Sequence, residues 1–475
     1  MMSALPLRAI ATELDAVYDG AELSVARVTT DSRHVAAGDL YVALRGERFD
    51  GHDFIAEVAA KGALAAVVDK IAADDKLAPT LPQLCVTDTR AALGLIARMN
   101  RRRFTGPLIG ITGSAGKTTT KEMLAAMLAQ NGAVLATEGN LNNEIGVPLT
   151  LLKIAPKHCY AVIEMGAARA GDIAYLCRFA EPDVAIVTSA LPVHLEGFGD
   201  VDTVAATKGE LFTGLGADGI AIVNADSEYV ARWKNMVGAR RTVTFGLQAQ
   251  ADVSARAIRR SAAGVQFELV NDGRHIAIEL PLLGAHNVRN ALAAAAAAIS
   301  LGVSLEAIRA ALLRLQPVPG RLQTRRGALG NIVIDDSYNA NPEAMKAAID
   351  VLSEYPGRRR LLLGNMGELG PESAAFHRDV AHYSALSGIE ECWFVGPHAR
   401  LQVEEFLRVA SGASATPNRA RSFVDNAAMI AACNEQPNVD AILVKGSRSA
   451  GMEMIVAALC GDNTAGGDTS SGGVH

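Results

Sequence analysis

The sequence predicts an α/β protein of three domains: a central parallel sheet behind a phosphate loop, a small α/β unit before it and a Rossmann-like α/β unit after it. Three observations carry this reading. Apolar runs of strand length at Leu108–Thr112, 160–163 and 184–188 alternate with helical stretches, the pattern of parallel strands buried on both faces. The first of these runs leads straight into a glycine-rich loop and a helix start. The chain has 475 residues, 49% hydrophobic and 20% charged, enough for about three domains of roughly 150 residues each.

Charge and cysteine usage narrow the class. Lys and Arg number 45 against 51 Asp and Glu, a net charge of −6, which argues against a surface built for nucleic acid or anionic membranes. The six cysteines show no C-x-x-C pair and no histidine at zinc-ligand spacing, so reduced, mostly buried thiols are expected. The first ten residues lack the charged start and long apolar stretch of a secretory leader, and no run approaches the ~20 apolar residues of a membrane helix. We expect a cytoplasmic monomer with no integral membrane segment, acting on small molecules and not on nucleic acid.

Taken in order, the first domain (1–104) shows short strands at 40–44, Ala65–Val68 and 83–86 between Gly/Asp-rich turns, then an amphipathic helix at 89–100. Arg101, Arg102 and Arg103, followed by Thr105-Gly106-Pro107, end that helix and read as a solvated linker. The second domain (105–318) holds the strand and helix alternations, a stretch at 243–280 patterned like antiparallel strands, and an Ala-rich helix at 290–300 suited to close packing. Pro317 and Pro319 mark the next boundary. In the third domain (319–460), strands at 331–334, 360–363, 392–395 and 441–444 are separated by helical stretches. Residues 461–475 are rich in Gly, Ser, Thr and Asp and read as a disordered tail.

The strongest chemical signal is Gly113-Ser114-Ala115-Gly116-Lys117-Thr118-Thr119 between strand and helix. Backbone amides of such a turn and of the helix start cradle phosphate oxygens, Lys117 reaches the β and γ groups, and the Thr118 hydroxyl is placed to ligate Mg²⁺. The loop is a shorter variant of the general motif, with Ile111 where the first Gly would stand. Glu164 ends an apolar strand at the edge where parallel sheets bind ligands, so its carboxylate suits Mg²⁺; alone, such an acid is more often a cap or a solvated residue. His194 follows a third strand and offers an imidazole nitrogen to a metal, or is a plain loop histidine. Lys208, as an ammonium, cannot bind a metal, and a helix-surface salt bridge to Glu210 or another acid is its default reading.

Together the loop variant, Glu164, His194 and Lys208-Gly209-Glu210 resemble the Mur ligase family of bacterial cell-wall synthesis. The likeness extends over nearly the whole chain. Thr30-Asp31-Ser32-Arg33 and the stretch from Gly46 to Phe54 resemble the family's UDP-sugar domain, and Asn140-Leu141-Asn142-Asn143-Glu144 its substrate loop. Gly284 to Asn290 and Pro319-Gly320-Arg321 resemble its nucleotide contacts. In the third domain, Asp335 to Pro342, Leu363 to Gly370 and Val444 to Ser449 resemble the type that adds D-alanyl-D-alanine. The Asp-Pro-Arg signature of the diaminopimelate-adding relative is not there.

The resemblance implies a specific chemistry: an ATP-dependent ligase forming an amide between UDP-N-acetylmuramoyl-tripeptide and D-alanyl-D-alanine through an acyl phosphate, with ATP and two Mg²⁺ ions. Lys117, Thr118 and Glu164 would serve ATP and the first ion; His194 and a carbamylated Lys208 would serve the second, since carbamylation turns a cation into an oxygen-donor anion. Asn287 and Asn290 would lie near the adenine, Arg321 at the phosphates and Asp336 at the ribose. Substrate contacts would come from Ser32, Arg33, Gly46, Asp50, Asn140, Asn143, Asn339, Asn341, Lys445, Ser447 and Arg448. Another amide ligase of the same fold, such as a folylpolyglutamate synthetase, is the alternative enzyme, and the UDP-domain strings speak against it. A phosphate-loop switch is the alternative from another class, and it would not need Lys445 to Arg448. The third residue of the acceptor peptide, diaminopimelate or lysine, is set by loop geometry that no string displays.

Overall fold

The computed structural model describes residues 2–71, 81–410 and 419–462. The first domain opens with an antiparallel ribbon of two-residue strands, Leu5–Pro6 and Ser24–Val25. Four short strands, β1 (Val28–Thr29), β2 (Leu40–Val42), β3 (Ala65–Val68) and β4 (Gln83–Cys85), then form an all-parallel sheet in sequential order. β2 and β3 are buried along their whole length, as parallel strands with two covered faces must be. Helix α1 (Thr89–Arg102) begins where the Asp88 carboxylate accepts from the amides of Arg90 and Ala91. Its apolar face, including Leu93 and Ile96, sits in a core that continues without a break through Ile163 and Phe179 of the second domain.

The arginines after that helix are not a solvated linker. Arg101 is buried and donates to the carbonyls of Ala180, Glu181 and Phe104 while pairing with Asp183 at 2.7 Å. Arg102 pairs with Glu181 at 2.6 Å, and Arg103 donates to the Ala4 carbonyl. The run of like charge is tolerated because each guanidinium has its own acceptors, and those of Arg101 and Arg102 at Ala180, Glu181 and Asp183 lie some 80 residues away in sequence.

The second domain is built on β5 (Leu108–Thr112), β6 (Val134–Ala136), β7 (Tyr160–Glu164), β8 (Val184–Val187), β9 (Ile220–Asn224), β10 (Arg241–Gly246), β11 (Val253–Ser261), β12 (Gly264–Asn271) and β13 (Arg274–Leu280). Their order is β13-β12-β11-β10-β9-β8-β5-β7-β6, parallel except for the pairings of β11 with β12 and β12 with β13. The antiparallel stretch therefore starts at β11, not at residue 243. β10 follows a helical crossover at Val230–Val237, which forces a parallel return; hydropathy alternation reports the exposed face and not the partner's direction. Helix α2 (Lys117–Leu128) packs on α3 (Ala285–Ser300), whose fully buried run from Ala291 to Ala298 lets Met123, Leu124 and Met127 approach closely.

The third domain contributes β14 (Gln323–Arg326), β15 (Ile332–Asp336), β16 (Arg359–Leu363), β17 (Glu391–Val395), β18 (Arg419–Phe423) and β19 (Ala441–Lys445). They are ordered β14-β15-β19-β16-β17-β18, with only β14 antiparallel. Helix α4 (Pro342–Ser353) starts on an Asn341 cap with Pro342 in its first turn, where the missing N–H costs nothing. Asp462, placed by composition in the tail, pairs with Arg325 at 2.8 Å beyond the last helix. The rest of that expected tail, 463–475, lies outside the described residues.

Two topological switch points position the site. The chain leaves β5 toward β6 and β7 on one side and returns to β8 on the other, opening a crevice at the carboxyl end of β5. Register sets Thr112 opposite Val187 and Ile111 opposite Glu164. In the third domain β19 inserts between β15 and β16, setting Asp336 opposite Lys445. All six cysteines are free; Cys177, Cys392 and Cys433 are buried, whereas Cys85 and Cys159 are exposed, contrary to the expectation of mostly buried thiols. Among the described residues no helix is long and apolar enough to cross a membrane.

Candidate active site

The two crevices face each other across one cleft of about 1270 Å³. Its floor is the phosphate loop. Gly113 has φ +145°, and a Cβ there would lie 1.9 Å from Thr188 Oγ1; Gly116 has φ +81°, and a Cβ there would lie 2.3 Å from Asn290 Oδ1. Neither position accepts another residue without strain. The loop is pinned to the segment after β8: Ser114 N donates to the Ser189 carbonyl at 2.9 Å and Thr188 Oγ1 to the Ala115 carbonyl at 2.6 Å. Helix α2 starts at Lys117 with no side-chain cap, so its first amides face the cleft as an anion site.

Around the loop the charged groups interlock. Lys117 Nζ donates to the Gly113 carbonyl at 2.7 Å, and burial lowers its pKa against the opposing pull of Glu164. The Thr118 hydroxyl donates to Glu164 Oε2 at 2.9 Å and accepts from Arg321 Nη2 at 2.9 Å, so a third-domain arginine touches the loop. The Arg321 guanidinium lies 4.4 Å from the Tyr338 ring centroid. Asn290 Nδ2 donates to Asn287 Oδ1 at 3.0 Å, and Asn287 Nδ2 to the Leu283 carbonyl at 2.7 Å. On the opposite wall Lys445 pairs with Asp336 at 2.6 Å and donates to the Asn339 carbonyl at 2.8 Å.

His194 and Lys208 occupy the same cleft. Lys208 is not in a surface salt bridge: its side chain is buried, Nζ donates to the Ala167 carbonyl at 3.3 Å, and the Phe198 ring centroid lies 5.5 Å away. Glu210 instead accepts from the amides of Gly171 and Ala174. Burial, then the nearby Lys117, lowers the Lys208 pKa to about 7. His194, in left-handed conformation at φ +51°, contacts Glu368 of the third domain through Nδ1. Burial lowers its pKa, against the raising effect of Glu368.

The structure brings Asn140, Asn143, Asn339, Asn341 and Lys445 to the cleft wall with the loop. Asn143 and Asn341 also cap local turns, through the amides of Gly146 and Ala344 at 2.8 Å. Ser447 and Arg448 do not line the cleft themselves; Ser447 Oγ lies 3.1 Å from Ser449 Oγ, and Arg448 pairs with Glu453 while its guanidinium lies 6.0 Å from the ring centroid of cleft-lining Tyr338. Ser32, Arg33, Gly46 and Asp50 are on the first domain away from it: Arg33 pairs with Asp31, and Asp50 accepts from the His52 amide. Four cleft-side groups escaped the residue-level reading. Asn142 donates to Glu164 Oε1 at 2.9 Å, Glu368 meets His194, Tyr338 underlies Arg321, and His286 lines the cleft with its pKa pushed down by burial to about 4. Each belongs to a string already singled out, so the signal was position within a motif, and only packing shows which member points inward.

The chain's likeness to known proteins covers almost all of it. Residues 111–298 match the family model described as the Mur ligase middle domain, 320–448 the Mur ligase, glutamate ligase domain, and 24–101 the Mur ligase family, catalytic domain. A curated relative from Escherichia coli K12, named UDP-N-acetylmuramoyl-tripeptide–D-alanyl-D-alanine ligase, is 42% identical over 462 residues, covering 96% of this chain and 99% of the relative. A crystal structure of MurF from Acinetobacter baumannii superposes with a TM-score of 0.88 at 33% identity, covering 97% and 99% of the two chains. MurF from Thermotoga maritima, solved in complex with ADP, superposes with a TM-score of 0.79 at 28% identity over 91% and 96%. Matched from its first strands to its last sheet, and by so similar a relative, the chain belongs to the Mur ligase family, in its MurF type, as an ATP-dependent ligase.

Proposed function

We propose that the chain joins D-alanyl-D-alanine to the terminal carboxylate of UDP-N-acetylmuramoyl-tripeptide, with ATP supplying the activation. The carrying observation is the Arg321–Thr118–Glu164 chain of hydrogen bonds, which ties the third domain to the phosphate loop at the mouth of a helix N-terminus. The curated relative's name and the match over residues 24–101 favour this substrate over the folate reading.

Carboxylates do not react with amines at useful rates, so the γ-phosphoryl group must first pass to the peptide carboxylate, releasing ADP. The amino group of D-alanyl-D-alanine then attacks the acyl carbon, losing a proton, and phosphate leaves as the amide forms. The chain's part is positioning and charge compensation. The loop amides and Lys117 hold the β and γ phosphates, and Lys117 with Arg321 stabilises charge spread over the transferred group. Asn287 and Asn290 hold the base end, Asp336 the ribose and Arg321 the phosphates. Ser32, Arg33, Gly46 and Asp50 are assigned to the nucleotide sugar, Asn140 and Asn143 to the peptide. Asn339, Asn341, Lys445, Ser447 and Arg448 are assigned to the dipeptide. In this scheme residues 1–104 carry the nucleotide sugar, 105–318 the ATP, and 319–460 complete the ATP site and hold the dipeptide.

The donor set fits Mg²⁺. The Thr118 hydroxyl and the Glu164 carboxylate are hard oxygen donors that meet beside the phosphate loop, and they would hold the ion there. Among the described residues there is no group of three or more His, Cys, Asp or Glu side chains that could hold a metal. A second ion would need His194 and Lys208, the latter as a carbamate. Mg²⁺ supplies charge neutralisation of the phosphates when bound. With ATP and a UDP-linked sugar as substrates and the cleft complete in one chain, we assign the reaction to the cytoplasm and to the monomer.

Lys117→Ala is the decisive variant. It is expected to lower ligation at least about a thousandfold while calorimetry shows UDP-tripeptide affinity unchanged. Lost UDP-tripeptide affinity with retained ATP turnover would overturn the assignment.

A further inference from the structure

The first domain reaches the catalytic cleft, among the described residues, through two side chains only: Asp88 and Arg90. Both stand at the start of α1, and the same stretch of wall carries Glu144 from the substrate loop and Tyr175. We infer that Arg90 is a specificity-determining residue that binds a free side carboxylate of the acceptor peptide. This rests on the substrate reading above.

Geometry carries the inference. The nucleotide sugar is assigned to the first domain, and the reacting carboxylate must end beside Glu164 and Lys117. A peptide joining the two places has to cross the wall at Asp88 and Arg90. Glu144 lies two residues beyond Asn142, whose side chain holds Glu164, so this wall adjoins the reacting end. Arg90 is held without being consumed: Nη2 donates to the Arg45 carbonyl at 2.9 Å, and Nη1 stands 3.8 Å from Glu144 Oε1, an ion pair too long for a hydrogen bond. A guanidinium has five donors in a fixed fork that matches a carboxylate, so most remain for a ligand. Asp88 is turned to the helix as its cap, its Oδ1 accepting from the amides of Arg90 and Ala91, whose partial positive charge offsets it in part. The Arg90 side chain is half-exposed and lines the cleft, so a ligand arriving from solvent can reach it.

Two carboxylates of the acceptor have this chemistry: the α-carboxylate of the D-glutamyl residue, and the distal carboxylate of diaminopimelate where that is the third residue. Paired measurements separate them. Steady-state kinetics and calorimetry would use the full chain with UDP-tripeptides ending in lysine or in diaminopimelate, and with UDP-N-acetylmuramic acid lacking a peptide. Arg90→Gln is expected to weaken UDP-tripeptide binding and raise its KM about tenfold or more, and Arg90→Lys to recover part of that. The KM for ATP and for D-alanyl-D-alanine, and the affinity for the peptide-free nucleotide sugar, are expected to stay within about twofold. A loss on both peptides assigns the D-glutamyl carboxylate, and a loss on the diaminopimelate peptide alone assigns the distal one. Unchanged affinity for both tripeptides, or an equal loss for the peptide-free nucleotide sugar, would overturn the inference. Failure of the wild-type chain to ligate would count against the substrate reading, and the calorimetric comparison would still decide Arg90.

Discussion

Burying an ammonium strips it of water, and the favourable response is to release its proton. Lys208 meets that condition: burial and the neighbouring Lys117 lower its pKa to about 7, so near neutrality a large share is free amine. A neutral amine adds carbon dioxide to give a carbamate, which supplies the anionic oxygens that His194 alone does not. Labelled bicarbonate is therefore expected to give a carbamate carbon signal that Lys208→Ala lacks. Turnover should fall when bicarbonate is stripped and recover on its return. Lys208→Ala should lose at least about a hundredfold in kcat. A fully active Lys208→Ala enzyme with no carbamate signal in the wild type would remove the second-ion proposal.

The helix Ser373–Leu386 illustrates how one element orients another through a single imidazole. His377 is buried; its Nε2 accepts the Met366 amide at 3.0 Å and its Nδ1 donates to the Ser373 carbonyl at 2.7 Å. That pattern needs the neutral ring, and it anchors the loop that carries Glu368 to His194. Burial, with a further push from His398, lowers the pKa to about 4 from an ordinary value near 6.5. Between those values the unfolded chain binds more protons than the folded one, so stability is full above pH 6.5 and declines as pH falls toward 4. Chemical denaturation is expected to show about 2 kcal/mol of this loss between pH 7 and pH 5. His377→Gln, which keeps an acceptor, should remove that share of the pH dependence; an unchanged profile would refute the assignment.

Across the molecule, two contacts join the third domain to the second at the chemistry itself: Arg321 with Thr118, and Glu368 with His194. The first domain and the second instead share a continuous apolar core and the buried Arg101 clamp. These two polar contacts stand beside the apolar packing of Leu283 into the third-domain core and the Arg260–Glu354 ion pair at 2.9 Å, and because they sit at the ATP site they make the third domain the part that ATP binding would draw in. Arg321→Ala is expected to raise the KM for ATP about tenfold or more while the affinity for UDP-tripeptide, measured by calorimetry, stays unchanged. A parallel loss of UDP-tripeptide affinity would show that the third domain also organises the nucleotide-sugar site.

Much of this was legible in the linear text. The phosphate loop needs consecutive residues, so Gly113 to Thr119 could be recognised between a strand and a helix, and the structure sets them there. Strand and helix alternation likewise follows from the period of burial along a short stretch, which is why the parallel sheets were foreseeable. The direction of β10, the burial of Arg101 and the displacement of Lys208 from solvent were not, because each depends on groups far away in sequence. Lys208 shows the reason most plainly. Its neighbour Glu210 offers a salt bridge on paper, yet Glu210 turns to the amides of Gly171 and Ala174, leaving Lys208 desolvated beside Phe198 and Ala167. Residue type sets what a side chain is able to do, whereas its charge state and its partners follow from the water that packing removes.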